Sequence, residues 1–254
     1  MIGMFDSGSG GLTVLKAVRE VLPSADVIYF GDIKNAPYGE KSREELSTLT
    51  VLALQLLEAR GATSIVSACN SVSASLAVSL FDIFAFAPAQ LIEMVGPTVV
   101  HFKNSPVRVL LCATPATIDS DIYQQAFQMI GKEITTVAIP ELAGAIEFGE
   151  PSERIEEIIA KSFAAIHLQD FDMLILACTH YPLALSIFQK IVAGTSVRLF
   201  DPAEAVAARA RELFWPREVG DGKTTFLVSK DSTPFRQLVA QLFPHSPYTI
   251  EVVE

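Results

Sequence analysis

Two stretches decide the fold: residues 64–71 are SIVSACNS, and residues 173–180 are MLILACTH. Each begins with a short apolar run typical of a buried strand, passes through Ala-Cys, and continues with small polar side chains of the kind that open a helix. A second pair, GMFDSG at 3–8 and LLCATP at 110–115, follows the same plan more loosely. The repetition predicts two similar halves, each built on strands that lead into helices.

Apolar runs alternate with amphipathic helical segments along the rest of the chain. One such segment has its apolar residues on a single helical face: Leu12, Leu15, Val18 and Leu22. The predicted strands, apolar on both sides, are 2–5, 27–30, 65–68, 91–95, 107–113, 134–138, 173–177, 197–200 and 226–229. Such alternation indicates an α/β fold with mostly parallel sheets. We predict two similar α/β domains, 1–95 with 208–254 and 96–207, and an active site in the cleft between them, because ligands bind beyond the carboxyl ends of parallel strands.

The composition excludes some classes of partner. Half of the 254 residues are hydrophobic, which is enough for a substantial core. Acidic residues outnumber basic ones by 29 to 19, and the net charge of -10 would repel a phosphate backbone, so we expect no nucleic-acid partner. The least charged stretch, 173–190, contains His180 and Pro182 and is not expected to span a membrane.

Cysteine usage and the first residues bear on location. Three scattered cysteines indicate neither a disulfide framework nor a zinc site. The acidic Asp6 and the lack of a basic segment before it argue against a signal peptide. We therefore expect a cytoplasmic protein without a bound metal.

The paired cysteines are the strongest chemical signal. Each follows a strand and precedes a helix, whose N-terminus is expected to lower the thiol pKa and favour the thiolate. Two such thiols, one from each half, could remove a proton from one face of a substrate carbon and deliver one to the other, as racemisation requires. The alternative is a redox pair, but Cys69 and Cys178 lack the usual Cys-x-x-Cys spacing. Cys112 lies inside a predicted strand and is interpreted as structural.

Other polar residues lie at the same strand ends. The glycine-rich loop 5–11 lacks phosphate-binding spacing, and its backbone N–H groups suit a carboxylate better. Asp6, at a strand tip, could cap the helix, bind a substrate ammonium or orient Cys69. His180, two residues after the second paired cysteine, could exchange protons with a thiolate or serve as a structural histidine. The segment 31–39 is by composition only a turn-rich loop.

Six short motifs are spread over nearly the whole chain: FDSGSGGL from residue 5, NAPYG from 35, ACNS from 68, ATPATI from 113, ACTHYP from 177 and DPAEAVA from 201. Together they resemble those of glutamate racemases, in the aspartate/glutamate racemase superfamily. The resemblance implies interconversion of L- and D-glutamate without pyridoxal phosphate or another cofactor. It also implies a cytoplasmic enzyme that supplies D-glutamate for peptidoglycan, in a family where homodimers are common.

The resemblance assigns roles to particular residues. It implies that Cys69 and Cys178 are the catalytic acids and bases. Asp6 would assist the first, and His180 with Glu147 would assist the second. Substrate contacts are implied for Asp6, Ser7, Tyr38, Gly39, Asn70, Ser71, Thr114, Thr117, Thr179 and His180. Three positions depart from the family pattern: Ser71 replaces a Thr, Gly96 a Glu and Lys230 a Gly.

Two alternatives to glutamate racemisation stay open. One is racemisation of aspartate or another amino acid, although aspartate racemases typically have Glu where this chain has His180. The other is a non-catalytic amino-acid-binding paralogue, against which the two cysteines argue.

Overall fold

Two parallel sheets form the framework of the protein. The computed structural model describes residues 1–76 and 90–253. The strands in these ranges are β1 (Ile2–Asp6), β2 (Val27–Gly31), β3 (Ser64–Ser67), β4 (Leu91–Ile92), β5 (Val109–Ala113), β6 (Ile134–Ala138), β7 (Met173–Ala177), β8 (Arg198–Phe200), β9 (Thr224–Val228) and β10 (Tyr248–Val252). One sheet has the order β10-β9-β2-β1-β3-β4 and the other β6-β5-β7-β8, and every pairing is parallel.

Helices connect the strands, as parallel pairing requires. They are α1 (Leu12–Val21), α2 (Arg43–Ala59), α3 (Asn70–Leu76), α4 (Val95–His101), α5 (Pro115–Asp119), α6 (Ile122–Met129), α7 (Leu142–Glu147), α8 (Ser152–Phe163), α9 (Leu185–Ile191), α10 (Pro202–Phe214) and α11 (Thr233–Leu242). No helix in the described ranges is both long enough and apolar enough to cross a membrane.

Local sequence explains where several helices begin. Ser42 accepts a hydrogen bond from the N–H of Glu45, whose carboxylate accepts one from the N–H of Ser42, so the pair forms a capping box for α2. The Asp201 side chain caps α10 by accepting from the N–H of Ala203. These caps satisfy N–H groups that the first helical turn leaves without a partner.

The central strands are buried on both faces, and apolar side chains fill the space between sheets and helices. In the first sheet, Tyr29 and Phe226 pack edge to face at 5.8 Å, and both contact Phe235 of α11. In the second sheet, Cys112 lies in the core with its sulfur 3.5 Å from the carbonyl oxygen of Ile175. The interior position agrees with the structural role predicted for Cys112.

The carboxyl ends of the two sheets meet. The Thr179 hydroxyl, just beyond β7, donates to Asp6 at the end of β1 over 3.1 Å. Ser71 at the start of α3 lies 3.0 Å from the Thr114 hydroxyl beyond β5. Strand ends from both sheets therefore face one space, which is where a parallel sheet places its ligand-binding loops.

The structure confirms the predicted α/β fold with parallel sheets and corrects two details. The predicted strand 91–95 ends after two residues, because the Glu93 carboxylate accepts the N–H groups of Val95 and Gly96 and thereby opens α4. Sequence analysis missed β10, an edge strand that is largely exposed.

The predicted domain bounds stay a prediction. The first sheet takes strands from 2–92 and 224–252, and the second takes strands from 109–200. The predicted bound between residues 207 and 208 falls inside α10, which packs on the core of the first sheet from Ala203 to Phe214.

Candidate active site

Two buried thiols lie at the carboxyl ends of strands in different sheets. Cys69 follows β3 and directly precedes α3, and Cys178 follows β7. They are 4% and 6% exposed, and neither forms a disulfide. A charge on Cys178 raises the pKa of Cys69, so the two sulfurs influence each other across the cleft.

The surroundings of Cys69 overturn one expectation from the sequence. The helix N-terminus was expected to lower the thiol pKa, and the N–H groups of Ser71 and Val72 do act in that direction. Burial has the larger effect and raises the pKa of Cys69 well above its ordinary value, and the negative charge of Asp6 raises it further. The Cys69 thiol is therefore held in its protonated form.

Asp6 is fully buried at the end of β1. Its carboxylate accepts a hydrogen bond from the N–H of Gly8 at 3.0 Å and one from the Thr179 hydroxyl. Burial raises the pKa of Asp6, while the positive charge of His180 opposes that rise. A carboxyl group whose ionisation is disfavoured in this way can bind a proton or a substrate cation.

A chain of hydrogen bonds leads away from Cys178. The sulfur lies 3.9 Å from Nδ1 of His180, and Nε2 of the same ring lies 2.6 Å from Oε2 of Glu147. Burial alone would lower the pKa of His180, but its bonds to Cys178 and Glu147 raise that pKa well above the ordinary value. Burial alone would raise the pKa of Glu147, but bonds from His180 and Ser9 lower it. The geometry therefore supports an imidazolium beside the Cys178 sulfur.

Three hydroxyl groups form a triangle between the two halves. Ser71 lies 3.0 Å from Thr114 and 3.4 Å from Thr117, and the two threonine oxygens lie 3.1 Å apart. All three residues are buried. Hydroxyl groups can donate or accept, so this triangle can turn its donors toward an anionic oxygen.

Asn70 holds an amide that lacks a partner in the described part of the chain. Its Oδ1 accepts a hydrogen bond from the Tyr123 hydroxyl at 2.6 Å, whereas its Nδ2 is buried without a bond. Such a group is costly unless it is satisfied. The free N–H groups of Asn70 are therefore suited to an acceptor such as a substrate carboxylate.

Loops from the first half complete the site. Ser7 is buried beside Asp6. The Tyr38 hydroxyl donates to Asp32 at 2.6 Å, so that oxygen is engaged within the protein. Gly39 approaches the second half so closely that a Cβ atom would lie 2.5 Å from Cγ2 of Thr114. Only glycine permits this contact between the halves.

Sequence analysis missed two features of the site. Ser9 donates its backbone N–H and its hydroxyl to Glu147, at 2.8 and 2.7 Å. Asp32 also accepts hydrogen bonds from Asn35 and Ser229, and it thereby fixes the loop that carries Tyr38. Neither interaction has a local sequence signal, since the partners are distant in the chain or lie in an irregular loop.

Of the departures at Gly96 and Lys230 from the family pattern, the first has a structural context. A Cβ atom on Gly96 would lie 2.8 Å from Oε1 of Glu93, whose carboxylate already caps α4. Lys230 is exposed just after β9, and nothing in the structure explains its identity. Across residues 1–76 and 90–253, no group of three or more His, Cys, Asp or Glu side chains is arranged to hold a metal ion.

Comparison with known proteins relates this geometry to one family. The family described as Asp/Glu/Hydantoin racemase matches residues 12–210. The chain is 34% identical to a glutamate racemase from Thermoanaerobacter sp. strain X514 over 92% of this chain and 89% of that protein. A structure of glutamate racemase from Francisella tularensis in complex with D-glutamate superposes with a TM-score of 0.87 at 29% identity, covering 100% of this chain and 97% of that one. A glutamate racemase from Bacillus anthracis shares the fold with a TM-score of 0.88 at 24% identity, over 100% and 97%.

Proposed function

The chain belongs to the Asp/Glu/Hydantoin racemase family, and on that basis we propose that it interconverts L-glutamate and D-glutamate through the thiols of Cys69 and Cys178. The observation that carries the proposal is the pair of buried thiols at strand ends of opposite sheets, each beside its own ionisable partner. Racemisation needs one acid or base on each face of the α carbon, and one thiol from each half supplies that arrangement.

In the proposed reaction, one sulfur gains a proton as the other loses one. For L-glutamate, the Cys178 thiolate removes the α proton, and the Cys69 thiol then donates its own proton to the opposite face. The reverse order converts D-glutamate. This assignment of enantiomers follows the family resemblance, and it is supported by the raised pKa of Cys69, which keeps a proton available for donation. No step is assigned to a cofactor.

Each partner has a role in this scheme. The His180 imidazolium stabilises the Cys178 thiolate, and Glu147 orients the ring through Nε2. Asp6 assists Cys69 and binds the substrate ammonium, whose positive charge its buried carboxylate can compensate.

We assign the substrate carboxylates to neutral donors. Asn70 offers an unpartnered amide, and Ser71, Thr114 and Thr117 offer hydroxyls. Further contacts are assigned to Ser7, Tyr38, Gly39, Thr179 and His180 on the strength of the family motifs. The Francisella tularensis relative, which binds D-glutamate, supports a ligand of the size of glutamate in this fold. A supply of D-glutamate for peptidoglycan, a cytoplasmic location and a homodimer complete the proposal and rest on the resemblance alone.

Circular dichroism of amino acids incubated with the pure protein tests the proposed function. We expect the signals of L-glutamate and D-glutamate to decay to zero, while that of L-aspartate persists. Decay of aspartate alone would assign the chain to a different substrate. Persistence of all signals, with calorimetric binding of glutamate, would instead indicate a non-catalytic binding protein.

A further inference from the structure

One oxygen of Glu147 collects hydrogen bonds from both halves of the molecule. The backbone N–H and the hydroxyl of Ser9 donate to Oε2 at 2.8 and 2.7 Å, and Nε2 of His180 lies 2.6 Å from the same oxygen. Ser9 belongs to the loop between β1 and α1, whereas Glu147 is the last residue of α7. All three residues are at most 6% exposed, so water screens these contacts little.

We propose that Ser9 is a positioning residue for the Cys178 side of the site, because its hydroxyl holds the Glu147 carboxylate directed at His180. The inference rests on the proposed function, in which His180 stabilises the Cys178 thiolate. Neither the internal repeat nor the family motifs assign a role to the Ser9 side chain. The role follows from the contact across the two halves.

The charges around Glu147 explain why its carboxylate needs hydrogen-bond donors. His180 favours the ionised carboxylate and is itself bonded to the Cys178 sulfur. Asp6 acts against this, since two buried carboxylates disfavour each other's ionisation, and the charge of Glu147 raises the pKa of Asp6. The same charge raises the pKa of the Tyr29 phenol, which stays protonated. The ionised form of Glu147 therefore needs donors to offset burial and repulsion.

Ser9 supplies two of those donors, and both lower the pKa of Glu147. The close approach depends on the neighbouring glycine, since a Cβ atom on Gly8 would lie 2.6 Å from Oε2 of Glu147. The opposite half makes the reciprocal contact, in which the Thr179 hydroxyl donates to Asp6. Each buried carboxylate thus accepts a hydrogen bond from a hydroxyl of the other half, and separation of the halves would break both hydrogen bonds.

A matched pair of variants isolates the Ser9 hydroxyl. Ser9→Thr and Ser9→Val have side chains of the same shape and differ in the hydroxyl, so steric effects cancel between them. Ser9→Ala provides a smaller side chain if either branched variant folds poorly. Thr13→Val is the control: it removes a hydroxyl from the adjoining helix whose hydrogen bonds, within the described part of the chain, go to the backbone oxygens of Gly10 and Thr179.

Two measurements report the ionisation of Glu147, one in the absence of substrate and one during catalysis. The first is the pH titration of its side-chain carboxyl carbon by NMR in protein labelled with ¹³C-glutamate, with the resonance identified by its loss in Glu147→Gln. The second is the pH profile of irreversible elimination from L-β-chloroglutamate, in which removal of the α proton expels chloride from the β carbon. A residue that only supports the fold would alter stability without moving either titration.

We expect Glu147 to titrate about one pH unit higher in Ser9→Val than in Ser9→Thr, since a hydrogen bond to a charged group contributes roughly that much. The acid limb of the elimination profile should move by the same amount, and Thr13→Val should match the unaltered protein. Ser9→Ala should shift in the same direction as Ser9→Val.

Coincident titrations of Ser9→Val and Ser9→Thr would overturn the positioning role. The NMR titration needs no substrate, so it separates this inference from the proposed function. If the unaltered protein fails to racemise glutamate, the proposed function fails, while a difference between the two variants still establishes that Ser9 sets the ionisation of Glu147.

Discussion

The two thiols occupy matching places in the two halves, yet their surroundings differ. The first N–H groups of α3 point at the Cys69 sulfur, and the ionisable neighbour is a carboxylate, Asp6. The Cys178 sulfur has an imidazole beside it, His180, which Glu147 holds from the far side. A carboxylate disfavours a nearby thiolate, whereas an imidazolium favours it.

This difference separates what a repeated fold supplies from what individual side chains supply. The repeat of a strand that ends in Ala-Cys brings the two sulfurs to the facing ends of the two sheets, although an α-helix follows directly only after Cys69 and a short 3-10 turn, Tyr181–Ala184, follows Cys178. In the proposed reaction from L-glutamate, the side chains around each sulfur favour Cys69 as the proton donor and Cys178 as the base. Substitutions on each side of the site test how far that asymmetry extends.

Replacement of either thiol should have the largest effect. Cys69→Ser and Cys178→Ser should each reduce racemisation by about a hundredfold to ten-thousandfold, because an alcohol is a much weaker acid than a thiol near neutral pH. The enantiomers have equal free energy, so racemisation itself cannot reveal which face each thiol serves. Elimination from each enantiomer of β-chloroglutamate can: Cys69→Ser should retain it with the L enantiomer and Cys178→Ser with the D enantiomer.

Cys112 provides the matched control for both thiol variants. It is buried in β5, and Cys112→Ala should leave racemisation within a few-fold of the unaltered protein. Equal losses on both enantiomers in the two serine variants would refute the assignment of one thiol to each face.

The carboxylate partners should follow the same division with a smaller effect. Asp6→Asn should slow elimination from the D enantiomer more than from the L enantiomer, because both share the ammonium that Asp6 binds but only the D enantiomer uses Cys69 as the base. Glu147→Gln should slow elimination from the L enantiomer, and each selective effect should be about tenfold, the value of one charge-assisted hydrogen bond. The initial rate of chloride release with each enantiomer measures this. If both variants slow the same enantiomer, the two sides of the site are not independent.

The sequence was sufficient for the framework because the framework depends on local patterns. Buried strands such as β1 and β7 are continuous apolar runs, and parallel pairing follows from the helices between them. The edge strand β10 escaped detection because it packs little apolar surface. The length of β4 was overestimated because the Glu93 carboxylate caps α4 through the N–H groups of Val95 and Gly96, and the apolar pattern of 91–95 does not indicate that helix start.

The site was predictable to the extent that motifs or repeats mark it. Cys69 and Cys178 stand at repeated positions, and His180 lies beside the second. The link from Ser9 to Glu147 joins residues of different halves, and no pattern in either segment indicates it. The raised pKa of Cys69 was also beyond the sequence, because burial outweighs the helix N-terminus only once the packing is known.

Stability should fall with rising pH on both sides of the site, because folding raises the pKa of His180 and of Asp6, although the charged form stabilises the fold for His180 and destabilises it for Asp6. The pKa of His180 is raised, so its contribution to the free energy of unfolding is present below about pH 6.5 and is lost as the pH rises through the folded value. His180→Asn should therefore destabilise by about 3 kcal/mol at pH 6 and by less at pH 9. The pKa of Asp6 is raised by burial, so its ionised form opposes folding, and Asp6→Asn should stabilise by about 1 kcal/mol at pH 7.

Urea unfolding at pH 6, 7 and 9 measures both effects. The exposed pair of Arg154 and Glu157 is a suitable control, because Glu157→Gln removes a surface ion pair of little energetic consequence. A His180 variant whose loss of stability grows as the pH rises would contradict the imidazolium assignment.

The smallest expected effect is also the one that should show no asymmetry. The triangle of Ser71, Thr114 and Thr117 lies between the halves, and none of its hydrogen bonds reaches a thiol, His180 or a carboxylate in the described structure. Ser71→Ala removes one neutral donor, which contributes about 1 kcal/mol, so KM for glutamate should rise about fivefold with kcat nearly unchanged. Elimination from the L and D enantiomers should weaken equally, because a substrate carboxylate keeps its place while the α proton changes faces. Saturation kinetics with both enantiomers test this expectation. A loss of elimination confined to one enantiomer would show that Ser71 acts with one thiol and not at a carboxylate site that both enantiomers share.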